Sequence, residues 1–241
     1  ASQGFLKYEV DNASGNVTIT TLPISEFAFS LIPMYEDTFQ LLTQSSVFTA
    51  NKMDVDSIAL LEPILKKFTE NYHIHFEEDE NLRMIQEQML THIEGYLVGP
   101  IVVNLGMTGM FHKYFMESSF RADEFHKHPE AFAKILDFFV HLGWFSKKND
   151  NYQFTEDGFF FAKRASAYGV TVSYLPMFKH IDSLLFGNAS ELRNIAKNED
   201  EIHVNREMNV WGSGGAHATY FKVIDDIIIE LFNKPIAEQP K

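Results

Sequence analysis

The chain has 241 residues and a formal net charge of −13, from 20 Lys and Arg against 33 Asp and Glu. With 45% hydrophobic residues and 23 Phe, it can bury a substantial core, which excludes global disorder. No apolar run approaches the roughly 18 residues that span a bilayer, and the first residues lack the pattern of a signal peptide. We therefore expect one large domain or two small ones, with no membrane partner.

The charge balance and the cysteine count exclude several classes of site. Without Cys, the chain can form neither disulfides nor thiolate zinc sites, and it has no Cys nucleophile. Zero Cys is compatible with the reducing cytoplasm, where we expect the protein. The acidic balance argues against broad nucleic-acid binding, because neutralising phosphates requires clustered Lys and Arg.

The first segment has the pattern of a β-hairpin. β-Prone residues at 5–10 and 17–21 flank the segment 11–16, which is rich in turn formers. The alternative interpretation of this segment is a frayed tail. From Pro23 to about Phe76 the pattern becomes helical, and we predict that residues 1–90 form an N-terminal hairpin and a helical cap.

A further helix is predicted from about Leu82 to Leu97, where Met and Ile residues recur at helical spacing. Gly99-Pro100 interrupts this pattern, so we predict a kink or a restart there, followed by a small apolar helix from Ile101 to Leu105. The interruption marks the entry to the part of the chain with the clearest pattern, residues 101–161.

Residues 101–161 follow the element order of a winged helix, which is three helices and then a hairpin. Pro129 begins a strongly amphipathic helix and Gly143 ends it. The apolar stripe of this helix, predicted to be core, consists of Phe132, Ile135, Leu136, Phe139, Val140 and Leu142. Aromatic residues then flank a polar turn at 147–151, which predicts a two-stranded wing. We predict a mainly α fold class, a helical bundle with a winged-helix core at residues 91–190 and a small N-terminal β-hairpin.

A winged helix invites a DNA-binding interpretation, which the residues oppose. A recognition helix offers Arg, Lys, Asn or Gln to base edges, whereas the helix from Pro129 to Leu142 is mainly Phe, Leu and Ile. Lys147 and Lys148 are the only adjacent basic pair in the predicted wing. We therefore expect no nucleic-acid partner and no specific binding to duplex DNA.

Histidine is the only soft metal-ligand type that the sequence offers in number. His73 and His75, like His126 and His128, are separated by one residue, a spacing that allows chelation on a strand but not on a helix. The sequence has no HExxH motif and no His–His–carboxylate set with diagnostic spacing. We interpret these residues as surface or core histidines and predict no metal site.

The most unusual local sequence is the glycine-rich segment Trp211–His217, where we predict a break before a final helix from Tyr220 to Phe232. The segment is close to the dinucleotide fingerprint, but no apolar strand precedes it, so that interpretation fails. One remaining alternative is a flexible helix entry capped by Ser213. The other is a ligand pocket that the glycine backbone approaches closely. The residues that would line this pocket are Trp211, Ser213, Gly214, Gly215, His217 and Tyr220.

Five segments carry a resemblance to a known family. The first three, residues 106–111, 132–145 and 152–159, are similar to the winged-helix helper part of class I S-adenosylmethionine-dependent methyltransferases of the O-methyltransferase type. In that type the helper precedes a Rossmann-like catalytic domain. Residues 161–176 and 206–217 have a closer similarity, to the methyltransferase regions of polyketide synthase assembly lines.

The resemblance implies S-adenosylmethionine as the cofactor and an acyl carrier protein or acyl thioester as the partner. It also implies that residues 191–241 form a lid segment and a connecting helix toward an absent cofactor domain, a C-terminal part of the same polypeptide. In the family that domain carries a glycine-rich loop of the type D-x-G-C-G-x-G, which this sequence lacks. We therefore expect the chain alone to bind S-adenosylmethionine weakly or not at all, and not to be a competent methyltransferase.

Tyr168 and Tyr174, within one of the similar segments, join the residues expected to face substrate or cofactor. His217 is the candidate catalytic residue, as a proton acceptor, with a metal ligand or a helix cap as its alternative roles. We expect the chain to be the helper and lid portion of a polyketide-type methyltransferase, shaping the acceptor site. The alternatives are a stand-alone winged-helix interaction or regulatory protein and a methyltransferase-like remnant with a separate activity.

Overall fold

The computed structural model describes residues 4–44, 47, 53–112, 116–193 and 201–239, and this part of the chain is mainly helical. The strands are β1 Leu6–Val10, β2 Val17–Thr21, β3 Phe145–Lys148 and β4 Asn151–Phe154. The helices are α1 Ser25–Ser30, α2 Glu36–Gln44, α3 Val55–Thr69, α4 Glu80–Met107, α5 Pro129–His141, α6 Glu156–Ala162, α7 Ala165–Ser173, α8 Leu175–Phe178, α9 Ile181–Phe186 and α10 Arg206–Phe232. Short 3₁₀ turns lie at Ile32–Tyr35, Ala122–Glu124, Ala189–Arg193 and Ile236–Glu238. None of these helices combines the length and the apolar character that crossing a bilayer requires.

The N-terminal hairpin is confirmed, and the frayed-tail alternative is not. β1 and β2 pair antiparallel along all five residues of each strand. The Asp11 carboxylate closes the turn by accepting hydrogen bonds from the Ala13 N–H at 2.9 Å and the Ser14 hydroxyl at 2.7 Å. The hairpin is tied to α1 because the buried Ser25 hydroxyl donates to the Phe5 carbonyl.

The helix α4 is the longest element, with 28 residues and a length of about 42 Å at 1.5 Å per residue. It begins at Asp79, whose carboxylate accepts from two backbone N–H groups of the first turn. The predicted restart of the helix after Gly99-Pro100 is wrong, because α4 continues through these residues to Met107. A proline inside a helix costs about 3 kcal/mol. Leu97 and Ile101, at most 2% exposed on either side, bury enough apolar surface to offset that cost.

The amphipathic helix α5 supplies the core of the winged helix. Phe132, Ile135, Leu136 and Phe139 are at most 4% exposed, as the apolar stripe predicted. Val140 and Leu142 are half-buried and pack against the same core. Gly143, with φ 77°, ends the helix in the left-handed region that glycine adopts without strain.

The predicted wing is also confirmed. β3 and β4 pair antiparallel, with Phe145 opposite Phe154 at the base of the hairpin. Phe120 adds a strand-like contact at the edge of this hairpin, because its N–H and carbonyl exchange hydrogen bonds of 2.9 and 2.8 Å with the backbone of Tyr152. The centroid of the Phe120 ring lies within 6.0 Å of the ring centroids of Phe145, Tyr152 and Phe154. The mainly α fold with a winged-helix core is therefore as predicted.

Phe139 gives a direct test of this core. Its side chain is fully buried, and its ring lies 5.1 Å from Trp144 and 5.6 Å from Phe145 between centroids. We expect Phe139→Ala to lower the free energy of unfolding by about 3–5 kcal/mol, the usual cost of a cavity left by a buried aromatic ring. Phe186→Ala is the matched control, since Phe186 is 86% exposed and should change stability by less than about 0.5 kcal/mol. Urea unfolding of both variants measures the difference, and equal stabilities would show that this face is not core.

Candidate functional site

The predicted break at Trp211–His217 does not occur, since α10 runs without interruption from Arg206 to Phe232. The separate helix predicted from Tyr220 is therefore the second half of α10. Ser213 lies inside the helix, so it does not cap it. The cap is Asn205, whose side chain accepts a hydrogen bond from the Met208 N–H at 3.0 Å.

The glycines of α10 bring two helices together. A Cβ atom on Gly212 would lie 2.6 Å from the backbone nitrogen of Val170 in α7, and one on Gly215 would lie 2.5 Å from the Cβ of Ser166. One turn earlier, the Asn209 amide donates to the Ser173 hydroxyl at 2.9 Å. These contacts run in opposite directions along the two helices, so α7 and α10 are antiparallel. The low helix propensity of glycine predicted an interruption here, but this packing keeps α10 continuous.

Trp211 is half-buried between three helices. A Cβ atom on Gly106 of α4 would lie 2.9 Å from the Trp211 ring, and one on Gly169 of α7 would lie 3.0 Å from it. The two glycines therefore leave the space that the indole fills. We call this arrangement of Trp211, Gly212 and Gly215 on α10 with Gly106 and Gly169 the glycine contact.

The remaining predicted residues of α10 lie on its open side. Gly214 is exposed, and no described heavy atom within reach lies closer than 4 Å to a Cβ placed there. His217 is exposed, with its ring 6.2 Å from that of Tyr220 and 5.9 Å from that of Phe221 between centroids. Only His217 and Tyr220 of the predicted pocket are thus brought together on an accessible surface.

The second half of α10 exposes apolar side chains. These are Tyr220, Phe221, Val223, Ile224, Ile227, Ile228, Ile229 and Phe232, each 45–67% exposed. At 100° per residue, all of them except Ile229 fall within an arc of about 180°, and Lys222 and Asp226 lie on the opposite side. An arc this wide is typical of a helix that packs on a globular core, whereas a two-stranded coiled coil needs a narrower stripe. We call this surface the apolar arc.

A cavity of about 700 Å³ lies between α2, α4 and the helices α7–α9. The described residues that line it are Tyr35, Thr38, Phe39, Leu42, Gly95, Tyr96, Gly99, Pro100, Tyr168, Thr171, Val172, Leu175, Phe178 and Ile181. Tyr168, predicted to face substrate, is therefore on its wall. Tyr174 is half-buried at the start of α8 and is not among the lining residues. The predicted site residues are thus divided between the cavity, α10 and, for Tyr174, the start of α8.

Burial disfavours the ionised form of Tyr35 and Tyr96, two of the phenols in the cavity wall. It raises the pKa of Tyr96 to about 12 and also raises the pKa of Tyr35. The Tyr35 hydroxyl lies 2.8 Å from Nδ1 of His92. Both phenols therefore remain neutral at physiological pH, and the wall offers no charge to a ligand.

Helix α5, which would be the recognition helix of the winged helix, packs against α3. The ring of Phe138 in α5 lies 5.8 Å from that of Phe68 in α3, and Lys134 pairs with Glu62 of α3 at 2.5 Å. In the wing, Lys147 pairs with Asp137 of α5 at 2.6 Å. Both lysines are thus paired with carboxylates of the same chain, and the absence of DNA binding stays a prediction.

The histidine pairs make contacts within the chain. His73 lies 3.1 Å from the Glu70 carboxylate. The His126 ring bridges two segments, since Nε2 lies 3.2 Å from the Met53 carbonyl and Nδ1 accepts from the His128 N–H at 3.0 Å. Among the described residues, no three or more His, Asp or Glu side chains are grouped so as to hold a metal ion.

Comparison with protein families gives two matches, which follow one another along the chain. Residues 94–188 match the family described as AprA winged helix domain. Residues 201–241 match the family described as AprA MT2-like domain. Together they are consistent with the N-terminal part of an AprA-type methyltransferase, and the second match suggests dependence on S-adenosylmethionine in general. A search of curated proteins found no match.

The described residues do not fit S-adenosylmethionine. Binding of this cofactor class uses a glycine-rich turn between a strand and a helix, where backbone N–H groups face the ligand. Gly212 and Gly215 instead lie inside α10 with their Cα atoms against α7. Among the described residues, the glycines that the sequence offered for a ligand therefore serve helix packing instead.

The glycine contact predicts opposite effects for two neighbouring substitutions. Gly212→Ala should lower the free energy of unfolding by about 1–3 kcal/mol, because the new methyl group meets fixed backbone atoms of α7. Gly214→Ala should raise it by about 0.5–1 kcal/mol, because alanine is the better helix former and the space is open. Urea unfolding measures both, and a gain at both positions would show that α7 and α10 are not in contact.

Proposed function

We propose that this chain is the winged-helix and lid portion of a polyketide-type S-adenosylmethionine-dependent methyltransferase, shaping the acceptor site for an acyl thioester on an acyl carrier protein. The observation that carries the proposal is that α10 is one unbroken helix and lies entirely within the second family match, residues 201–241. The first half of α10 is fixed to the helices around the winged helix by the glycine contact. Its second half presents the apolar arc.

The apolar arc supports a cofactor domain as its partner. Exposed apolar patches of this extent mark interaction surfaces, and the match to the AprA MT2-like domain includes the whole of α10. The matched stretch, residues 201–241, is too short to bury a core of its own, because chains of about 40 residues need additional support to fold. In the proposal, the C-terminal cofactor domain of the same polypeptide covers the arc.

In the proposal, His217 lies where the acceptor meets both parts of the enzyme. It lies between Gly215, the last residue of the glycine contact, and Tyr220, the start of the apolar arc. In the proposal its imidazole accepts the proton that leaves an acidic carbon or a hydroxyl of the acceptor, a task that imidazole commonly performs. The rings of Tyr220 and Phe221 lie 6.2 and 5.9 Å from the His217 ring between centroids.

Cofactor titration tests whether S-adenosylmethionine binds to this chain or needs the proposed cofactor domain. The chain alone should bind S-adenosylmethionine weakly or not at all by isothermal titration calorimetry, because the D-x-G-C-G-x-G motif is missing and Gly212 and Gly215 face α7. A polypeptide in which the chain continues into a D-x-G-C-G-x-G motif should bind it in the micromolar range. Micromolar binding by the chain alone would contradict the proposal. Absence of binding by the longer polypeptide would favour a stand-alone winged-helix interaction protein.

Substitution of His217 tests the catalytic assignment in that longer polypeptide. His217→Ala should lower the methyl-transfer turnover at least tenfold, about 1.4 kcal/mol of transition-state stabilisation. Its melting temperature should not change, because the side chain is exposed. His75→Ala, also at an exposed histidine, is the matched control and should leave turnover unchanged. If His217→Ala retains full turnover, the residue has no part in proton transfer.

A further inference from the structure

The cavity between α2, α4 and α7–α9 is a second candidate site, separate from the surface assigned to the acceptor. Among the described residues, its wall is built by positions 35 to 181 and includes none from α10. Ligand binding in this cavity can therefore be tested separately from the proposed methyl transfer.

The chemistry of the wall selects an apolar ligand. All of the described lining residues are uncharged, and most are aliphatic or aromatic. Two of the polar groups already have partners within the chain. The Thr38 hydroxyl donates to the Tyr35 carbonyl at 2.8 Å, and the Tyr35 hydroxyl lies 2.8 Å from Nδ1 of His92. These groups therefore make no demand for a polar ligand.

Two glycines on α4 keep the cavity open. Gly95 and Gly99 are one helical turn apart and both line it. A Cβ on Gly95 would meet no described atom within 4 Å, and one on Gly99 would make only an ordinary contact of 3.7 Å with Val172. Larger residues at Gly95 would thus fit sterically, would favour the helix and would fill part of the cavity. Glycine at both positions leaves that volume empty.

The size and the opening of the cavity define the ligand further. An engineered apolar cavity of roughly 150 Å³ accommodates benzene, whereas this one measures about 700 Å³, within the range of sites for drug-sized ligands. Phe39, Tyr168 and Phe178 of its wall are 45%, 39% and 39% exposed, so the cavity opens to solvent. A ligand can therefore bury an apolar part while a polar end stays in water.

We propose that this cavity binds the aliphatic chain of an amphipathic molecule, with the polar head outside in solvent. The uncharged wall takes the chain by hydrophobic burial alone. Affinity then depends on chain length and is insensitive to the chemistry of the head. A ligand with a short chain, such as a two-carbon acyl group, leaves most of the cavity unfilled.

Calorimetric titration of the chain with butanoate, octanoate and dodecanoate, each below its micellar concentration, tests this proposal. Burial of each additional methylene should tighten binding by about fourfold until the cavity is filled. We therefore expect no measurable binding of butanoate, and binding of dodecanoate at least tenfold tighter than that of octanoate. Affinity that does not depend on chain length, or binding of naphthalene tighter than that of dodecanoate, would overturn the proposal.

Substitutions locate the binding. Gly95→Phe places a ring in the open space and should weaken dodecanoate binding at least tenfold, whereas Glu87→Phe, at an exposed position outside the lining of the same helix, should not change it. Thr171→Asp, which adds a carboxylate at an exposed position of the wall, should weaken binding to a similar extent. Circular dichroism melting identifies any unfolded variant. Unchanged dodecanoate affinity in folded Gly95→Phe or Thr171→Asp protein would overturn the proposal.

Discussion

The backbone contact between Gly169 and Gly212 determines where the rest of the candidate site can lie. A Cβ on Gly212 would be 2.8 Å from the Gly169 Cα, so a side chain at either position would push the helices apart. Because α7 and α10 approach each other this closely, the Trp211 indole reaches Gly106 of α4. Three helices are thereby fixed together, and the direction in which α10 leaves the body follows from that.

The helix α7 separates two surfaces of different character. On one side Ser166, Gly169 and Ser173 meet α10 through small residues and a hydrogen bond. On the other, Tyr168 and Val172 face an uncharged cavity. The same short helix thus serves rigid packing and an open volume. The cavity and the apolar arc are therefore separate surfaces, and of the predicted site residues Tyr168 lies on the first and Tyr220 on the second.

Features set by local sequence were predictable. The turn formers between β1 and β2, and the stripe of α5 that contains Phe132 and Phe139, depend on neighbours in the chain. The continuity of α4 and α10 was not predictable, because tertiary burial decides whether Pro100 or Gly212 interrupts a helix. Glycine marks a close approach of backbone but does not reveal what approaches. The cavity combines residues from 35 to 181, so no local pattern shows it.

The uninterrupted course of α10 has a mechanical consequence. With 27 residues it is a rod of about 40 Å at 1.5 Å per residue, clamped along its first half. The apolar arc is therefore carried on the same rigid helix that the glycine contact holds to α4 and α7. The helix ends at Asn233, and Pro235 follows with extended geometry. A bend between this rod and the domain proposed to follow it is therefore expected at or beyond residue 233, more than 20 Å from His217 by the rise per residue.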